Sequence, residues 1–162
     1  MDLMTLLSPD RIAYEQDVSS KKRAFEKLAA MLASSNSSLK ASSVFDALIN
    51  REKLGSTALG NGVAIPHACM SLVEPVGALL IAQEGIKMDT PDKKPVYVLL
   101  ALMVPVTKTG LCSPLMVELT TLLSQKSLVE KLCQFQYDQP AIDYVRAIVA
   151  SYQPTTPQSL AA

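Results

Sequence analysis

The chain has 162 residues, enough for one domain with a real hydrophobic core, and 49% of them are apolar. Fifteen Lys and Arg balance fifteen Asp and Glu, so no net field draws the protein to nucleic acid, a membrane surface or an acidic substrate. The longest apolar run, Val96 to Val104, is about half the roughly 20 residues a membrane-spanning helix needs, and Met1 to Ser8 lacks the basic flank and apolar stretch of a secretory signal.

The hydrophobic period changes several times along the chain, which predicts mixed α and β structure. Phe25, Leu28 and Leu32 recur at helical spacing in a run rich in Lys, Glu and Ala. Asn36 to Ser38 breaks that helix with turn formers. A second helix is expected over Val44 to Lys53, opened by Ser43 with Asp46 in a variant capping box, and with Phe45, Leu48 and Ile49 toward the core. Leu54 to Gly62 holds three glycines and reads as a loop leading into a short β-run, Val63-Ala64-Ile65, stopped by Pro66. Val76 to Gln83 and Val96 to Val104 read as strands. The second is apolar at nearly every position, the pattern of a central strand covered on both faces.

The last third is helical. Ser113-Pro114 is a helix start, with Leu115, Leu119 and Leu122 behind it. Ser127 and Glu130 form another capping box, and Ile142, Val145 and Val149 mark a final helix. The Pro-, Thr- and Gln-rich stretch from Gln153 to Ala162 is expected to be a flexible tail, leaving one domain over residues 3–150.

Cys69, Cys112 and Cys133 are an odd number, far apart, without a CxxC pair. Neither a disulfide framework nor a zinc ribbon is indicated, and the compartment logic favours reduced thiols in a cytoplasmic protein. Cys69 and Cys112 with His67 are too few ligands to define a metal site or a thiolate switch. They are expected to be small buried apolar residues, and no metal or cofactor is expected.

His67 is the single histidine. Imidazole suits proton and phosphoryl chemistry near neutral pH, and this one follows Pro66 at a strand end, just after a glycine-rich loop. Gly60 and Gly62 allow a close approach by a phosphate or another backbone. Ser56, Thr57 and Asn61 offer hydroxyl, amide and backbone donors to phosphoryl oxygens, or else cap the loop itself. The segment lacks the GxxxxGK[ST] spelling of a nucleotide phosphate loop.

The run from Arg51 through Leu54-Gly55-Ser56-Thr57 to Gly60-Asn61-Gly62-Val63-Ala64-Ile65-Pro66-His67 resembles the active-site stretch of one class of bacterial phosphotransferase-system enzyme IIA. That class is the mannitol/fructose and nitrogen-regulatory one. Leu7-Ser8-Pro9, Ser20-Lys21-Lys22, Pro75-Val76-Gly77-Ala78, Pro95-Val96 and Val104-Pro105 are similar to further family landmarks, so the resemblance spans roughly residues 3 to 150. The Leu-Gly-Ser-Thr spelling is similar to the nitrogen-regulatory branch. The resemblance implies an α+β fold, a three-layer α/β/α sandwich with a mixed sheet and helices on both faces. It implies His67 as phosphoryl acceptor from an HPr-type phosphocarrier and Arg51 as a charge-stabilising residue. It also implies a regulatory phosphocarrier whose protein partners respond to its phosphorylation state, rather than a turnover enzyme on a small substrate.

Two features depart from the family. Its usual second histidine, near the start of the helix after the Val-Pro strand end, is replaced here by Cys112 or, under another alignment, by Gly110. The basic residue often found just after the active histidine is missing from Ala68-Cys69-Met70. One lost charge-assisted hydrogen bond is worth roughly 1.5–3 kcal/mol, which would slow transfer without abolishing it. A binding module that regulates without phosphorylation is therefore a second expectation, and a sugar-specific transport subunit a third.

Overall fold

A computed structural model describes residues 3–135 and 139–152 and, of Lys108, Thr109, Leu111, Cys112 and Ser113, the backbone alone. The tail expected from Gln153 onward lies outside the described residues. Six strands form one mixed sheet: β1 (Ile12–Glu15), β2 (Ala58–Gly60), β3 (Val63–Ala64), β4 (His67–Met70), β5 (Val76–Ile86) and β6 (Val96–Pro105). Among the described residues six α-helices accompany them: α1 (Leu3–Leu6), α2 (Lys21–Ala33), α3 (Ala41–Lys53), α4 (Cys112–Leu123), α5 (Lys126–Cys133) and α6 (Ala141–Tyr152).

The strand order is β1-β5-β6-β3-β2, and β4 also pairs with β6. β5 and β6 run antiparallel, Leu79 facing Leu100. On its other edge β6 carries β3 and β4 one after the other, both parallel to it. The central, doubly covered strand is thus β6, as its continuous apolar run requires.

Side-chain alternation along β6 builds the layers. Val98, Leu100, Leu102 and Val104 enter one core with α1, α4, α5 and α6. Leu99, Ala101 and Met103 enter a second core with α2 and α3, where Phe25, Leu28 and Leu48 are buried. The result is the expected α/β/α sandwich. α2 begins after Ser20, one of the family landmarks, whose Oγ accepts from the Arg23 N–H at 3.2 Å.

Other boundaries differ from the sequence expectations. α3 starts at Ala41, so Ser43 lies inside its first turn instead of capping it. Val44 and Leu48 take the deepest positions there, while Phe45 and Ile49 are half-buried against the same core. α5 starts at Lys126 after Gln125, which displaces Ser127 from the cap. α4 starts at Cys112, after a 3-10 turn over Val106–Leu111, so Ser113 is already helical. The glycine-rich stretch read as loop contains β2, and His67 opens a strand of its own rather than following one.

Candidate functional site

His67 stands at the first position of β4, beside Leu102 of β6. Cross-strand partners share a face, which sets His67 on the side of Leu102 and α4, while Ala68 and Met70 pack into the core beneath α2 and α3. The half-buried imidazole places Nδ1 at 2.8 Å from the Ile65 carbonyl oxygen. A carbonyl only accepts, so Nδ1 carries a proton, and in the neutral form of the ring Nε2 is then the bare nitrogen.

That junction is held by few bonds. Pro66 has no N–H to give, although its carbonyl accepts from Leu102 N–H at 2.8 Å. Ile65 N–H donates to the Thr57 carbonyl at 3.1 Å. Thr57 is buried, and both its donors go to Glu52: the hydroxyl reaches Oε2 at 2.7 Å and the N–H spans both carboxylate oxygens at 3.3 Å. Ser56 Oγ donates to the Asp89 carbonyl and accepts from the Ala58 N–H at 3.2 Å. Arg51 is half-buried, and its Nη1 donates to the Gly55 carbonyl at 2.9 Å, closing the turn after α3.

The residues expected to cradle a phosphate therefore divide. Arg51, Ser56 and Thr57 lie on the segment that runs past Ile65, and their shown hydrogen bonds go to Gly55, Asp89, Ala58, Glu52 and Ile65. Gly60, Asn61 and Gly62 form the tight turn between β2 and β3, all three at positive φ of 88°, 54° and 81°. Gly62 stands beside Tyr97 and Val98, whereas His67 stands beside Leu102. At ~3.3 Å per residue the register separates that turn from the imidazole by about 16 Å along β6. The glycines meet the demands of the turn, and Asn61 N–H donates to Asp92 Oδ2 at 2.9 Å. That bond is the first cause holding the Asp92 carboxyl below its ordinary range. A cavity of about 460 Å³ opens next to Asn61 and Gly62, against Tyr97 and α5, at this far end of β6.

The 3-10 turn over Val106–Leu111 packs against β4 and leads into α4. Both candidates for the second-histidine position are in this stretch. Gly110 is exposed, and a Cβ built there would meet nothing within 4 Å. Cys69, expected to be buried, is exposed on β4, because its strand pairs on one edge only and its side faces away from the α2–α3 core. Cys133 is also exposed as a residue, but partial burial of its thiol pushes that group up. Among the described residues no group of three or more His, Cys, Asp and Glu is arranged to hold a metal ion. Nor is any described helix long and apolar enough to cross a membrane.

The sequence model of the family described as phosphoenolpyruvate-dependent sugar phosphotransferase system, EIIA 2, matches residues 5–148. The chain belongs to that family. Among its enzyme IIA relatives, a protein of Pseudomonas aeruginosa named nitrogen regulatory protein is 34% identical over 131 residues, covering 80% of this chain and 85% of that protein. The crystal structure of nitrogen regulatory protein IIA-Ntr from Neisseria meningitidis superposes with a TM-score of 0.80 at 37% identity, covering 91% of this chain and 98% of that one. The IIA mannitol structure from Escherichia coli, 18% identical with a TM-score of 0.70 over 88% of this chain and 98% of its own, shares the fold. Within the enzyme IIA family, this chain falls in the nitrogen-regulatory branch.

Sequence reasoning missed Glu52. Its signal was present: an acidic residue in the last turn of a helix opposes the negative end of the macrodipole, so something else must favour it there.

Proposed function

We propose that this enzyme IIA is a regulatory phosphocarrier that accepts a phosphoryl group on His67 Nε2 from an HPr-type carrier. The observation carrying this reading is the Nδ1–H bond to the Ile65 carbonyl, which presents Nε2 as the free nitrogen. In the transfer, the Nε2 lone pair forms the new P–N bond as the donor's P–N bond breaks, and the donor ring departs with that electron pair. The proton stays on Nδ1, where the Ile65 carbonyl stabilises the positive charge the ring acquires. Little covalent assistance is required, since alignment and charge stabilisation carry phosphoryl transfer. Arg51 uses one donor of its five-donor fork on Gly55, leaving others for phosphoryl oxygens.

A protein partner suits this end of the sheet. β4 and β6 end together at Met70 and Pro105, and the chain leaves them through Val73 and Val106, which are 77% and 51% exposed. Phosphorylation places a phosphoryl group of about two negative charges on such a face, offset by the one positive charge the ring acquires, and that local change is enough to recruit or repel a partner. Because His67 is the single histidine, regulation by protein contact without phosphorylation is the second reading.

The deciding test is intact mass after incubation with phosphoenolpyruvate, enzyme I and an HPr-type carrier, beside His67→Ala. An acid-labile gain of one phosphoryl group, absent from His67→Ala, is expected. No gain, while a relative with two histidines is labelled in parallel, would transfer the assignment to the binding module.

A further inference from the structure

Glu52 is a carboxylate whose burial local structure does not explain. It lies in the last turn of α3, at the helix end least favourable to an anion, and its side chain is 2% exposed. Its nearest cation is Lys21, the first residue of α2, with Nζ 4.0 Å from Oε1. Burying a carboxylate carries a heavy desolvation penalty unless hydrogen bonds and charge offset it. Here the offset comes mainly from one residue, Thr57, which gives Glu52 both its N–H and its hydroxyl.

From Thr57 the bonds continue in one direction. The Thr57 carbonyl takes the Ile65 N–H at 3.1 Å, and the Ile65 carbonyl takes the Nδ1–H of His67 at 2.8 Å. The Ile65 side chain is fully buried and the Pro66 carbonyl is tied to Leu102, but the backbone hydrogen bonds shown for Ile65 itself are the two just named. β3 covers only Val63–Ala64, its pairing with β2 shifts register between Ala58 and Gly60, and Pro66 contributes no N–H. Packing and Leu102 fix where this residue sits, and the bond to Thr57 sets the tilt of its peptide groups and so the direction of the Ile65 carbonyl.

We propose that Glu52 is a positioning residue for His67: through Thr57 and Ile65 it selects the Nδ1–H tautomer and so exposes Nε2. The consequence for phosphoryl acceptance rests on the function proposed above; the tautomer selection does not. With Thr57 loosened, the Ile65 carbonyl drifts, the proton is free to occupy Nε2, and the bare nitrogen then faces the backbone instead of the donor.

The single histidine makes the test direct, since the ¹⁵N-labelled protein holds one imidazole. Long-range ¹H–¹⁵N correlation on the full chain, at a pH where the ring is neutral, reads the tautomer of wild type, Glu52→Ala, Glu52→Gln and Thr57→Val. Wild type is expected to be predominantly Nδ1–H, and Glu52→Ala a mixture rich in Nε2–H. Glu52→Gln, whose amide still accepts from Thr57, is expected to return the wild-type signature. Thr57→Val, which deletes only the hydroxyl, is expected to fall between and serves if Glu52→Ala does not fold. Phosphoryl acceptance by Glu52→Ala should fall by at least about tenfold, in keeping with the sensitivity of transfer to small misplacements, and recover in Glu52→Gln. An imidazole unmoved in folded Glu52→Ala and in Thr57→Val overturns the proposal. Wild type that shows the expected tautomer pattern but takes no phosphoryl group would sink the transfer reading and leave the tautomer control standing.

Discussion

At Gly85 a single methyl group has nowhere to go. The residue has φ of 82°, and a Cβ would stand 2.9 Å from Pro95 Cβ and 3.1 Å from the Tyr97 ring. It sits where the register of β5 and β6 shifts between Ile81 and Ile86, so the glycine permits both the irregular pairing and the close approach of Tyr97. Left-handed backbone costs an L residue roughly 1–2 kcal/mol, and overpacking adds about 1–3 kcal/mol. Gly85→Ala is therefore expected to lower stability by about 2–5 kcal/mol, read as a fall in urea midpoint at unchanged slope. Gly62, with φ of 81° and a Cβ contact of 3.3 Å to the same ring, should cost less on the same substitution. A loss below about 0.5 kcal/mol at Gly85, the level of ordinary surface changes, would mean that Pro95 and Tyr97 move aside and that the backbone also leaves the left-handed region.

At the scale of elements, what the sequence discloses and what it hides follow from what holds each element. α2 and β6 are legible because their own residues dictate them: an amphipathic face, and an unbroken apolar run. β2 and β4 are not, since Ala-Leu-Gly and His-Ala-Cys-Met carry little strand pattern and are extended by pairing with β3 and β6. The misplaced caps at Ser43 and Ser127 have another cause. Serine is plentiful there, and a cap depends on the backbone leaving the helical region at that residue, which spacing alone does not report. The site divides likewise: His67 and Arg51 stand out in the motif, but the offset of Gly60–Gly62 by about 16 Å emerges only from the register, and the role of Glu52 only from its burial.

The 3-10 turn after β6 is the element that the family departure concerns. It packs on β4, and its backbone continues directly into α4, so an imidazole mounted here is within the neighbourhood of His67. Gly110→His and Cys112→His test the two alignments. One of the pair is expected to accept the phosphoryl group about tenfold or more faster than wild type, the rate equivalent of one restored charge-assisted hydrogen bond. Gly110→His should fold without strain, given the open space around its Cβ. If neither variant changes the rate, the missing second histidine does not limit transfer in this chain.

For the whole molecule the decisive property is electrical neutrality. Fifteen cations and fifteen anions cancel, so the protein has no long-range field on which a partner could rely. Screening confines any remaining local field to about 8 Å at physiological salt. Discrimination between the two proposed states must then come from the face around His67, where the phosphoryl group brings about two negative charges and the ring one positive, a net change of about one negative charge. Against a formal charge of zero that change is large, and it should be visible without any partner. In native electrophoresis near pH 7, unmodified protein is expected to migrate very little, and protein treated with the phosphotransferase donors to move toward the anode. Brief acid treatment should reverse the shift, as a phosphorus–nitrogen bond requires, and His67→Ala should show none. A donor-dependent shift that persists in His67→Ala would place the phosphoryl group on another residue and remove His67 from the centre of the mechanism.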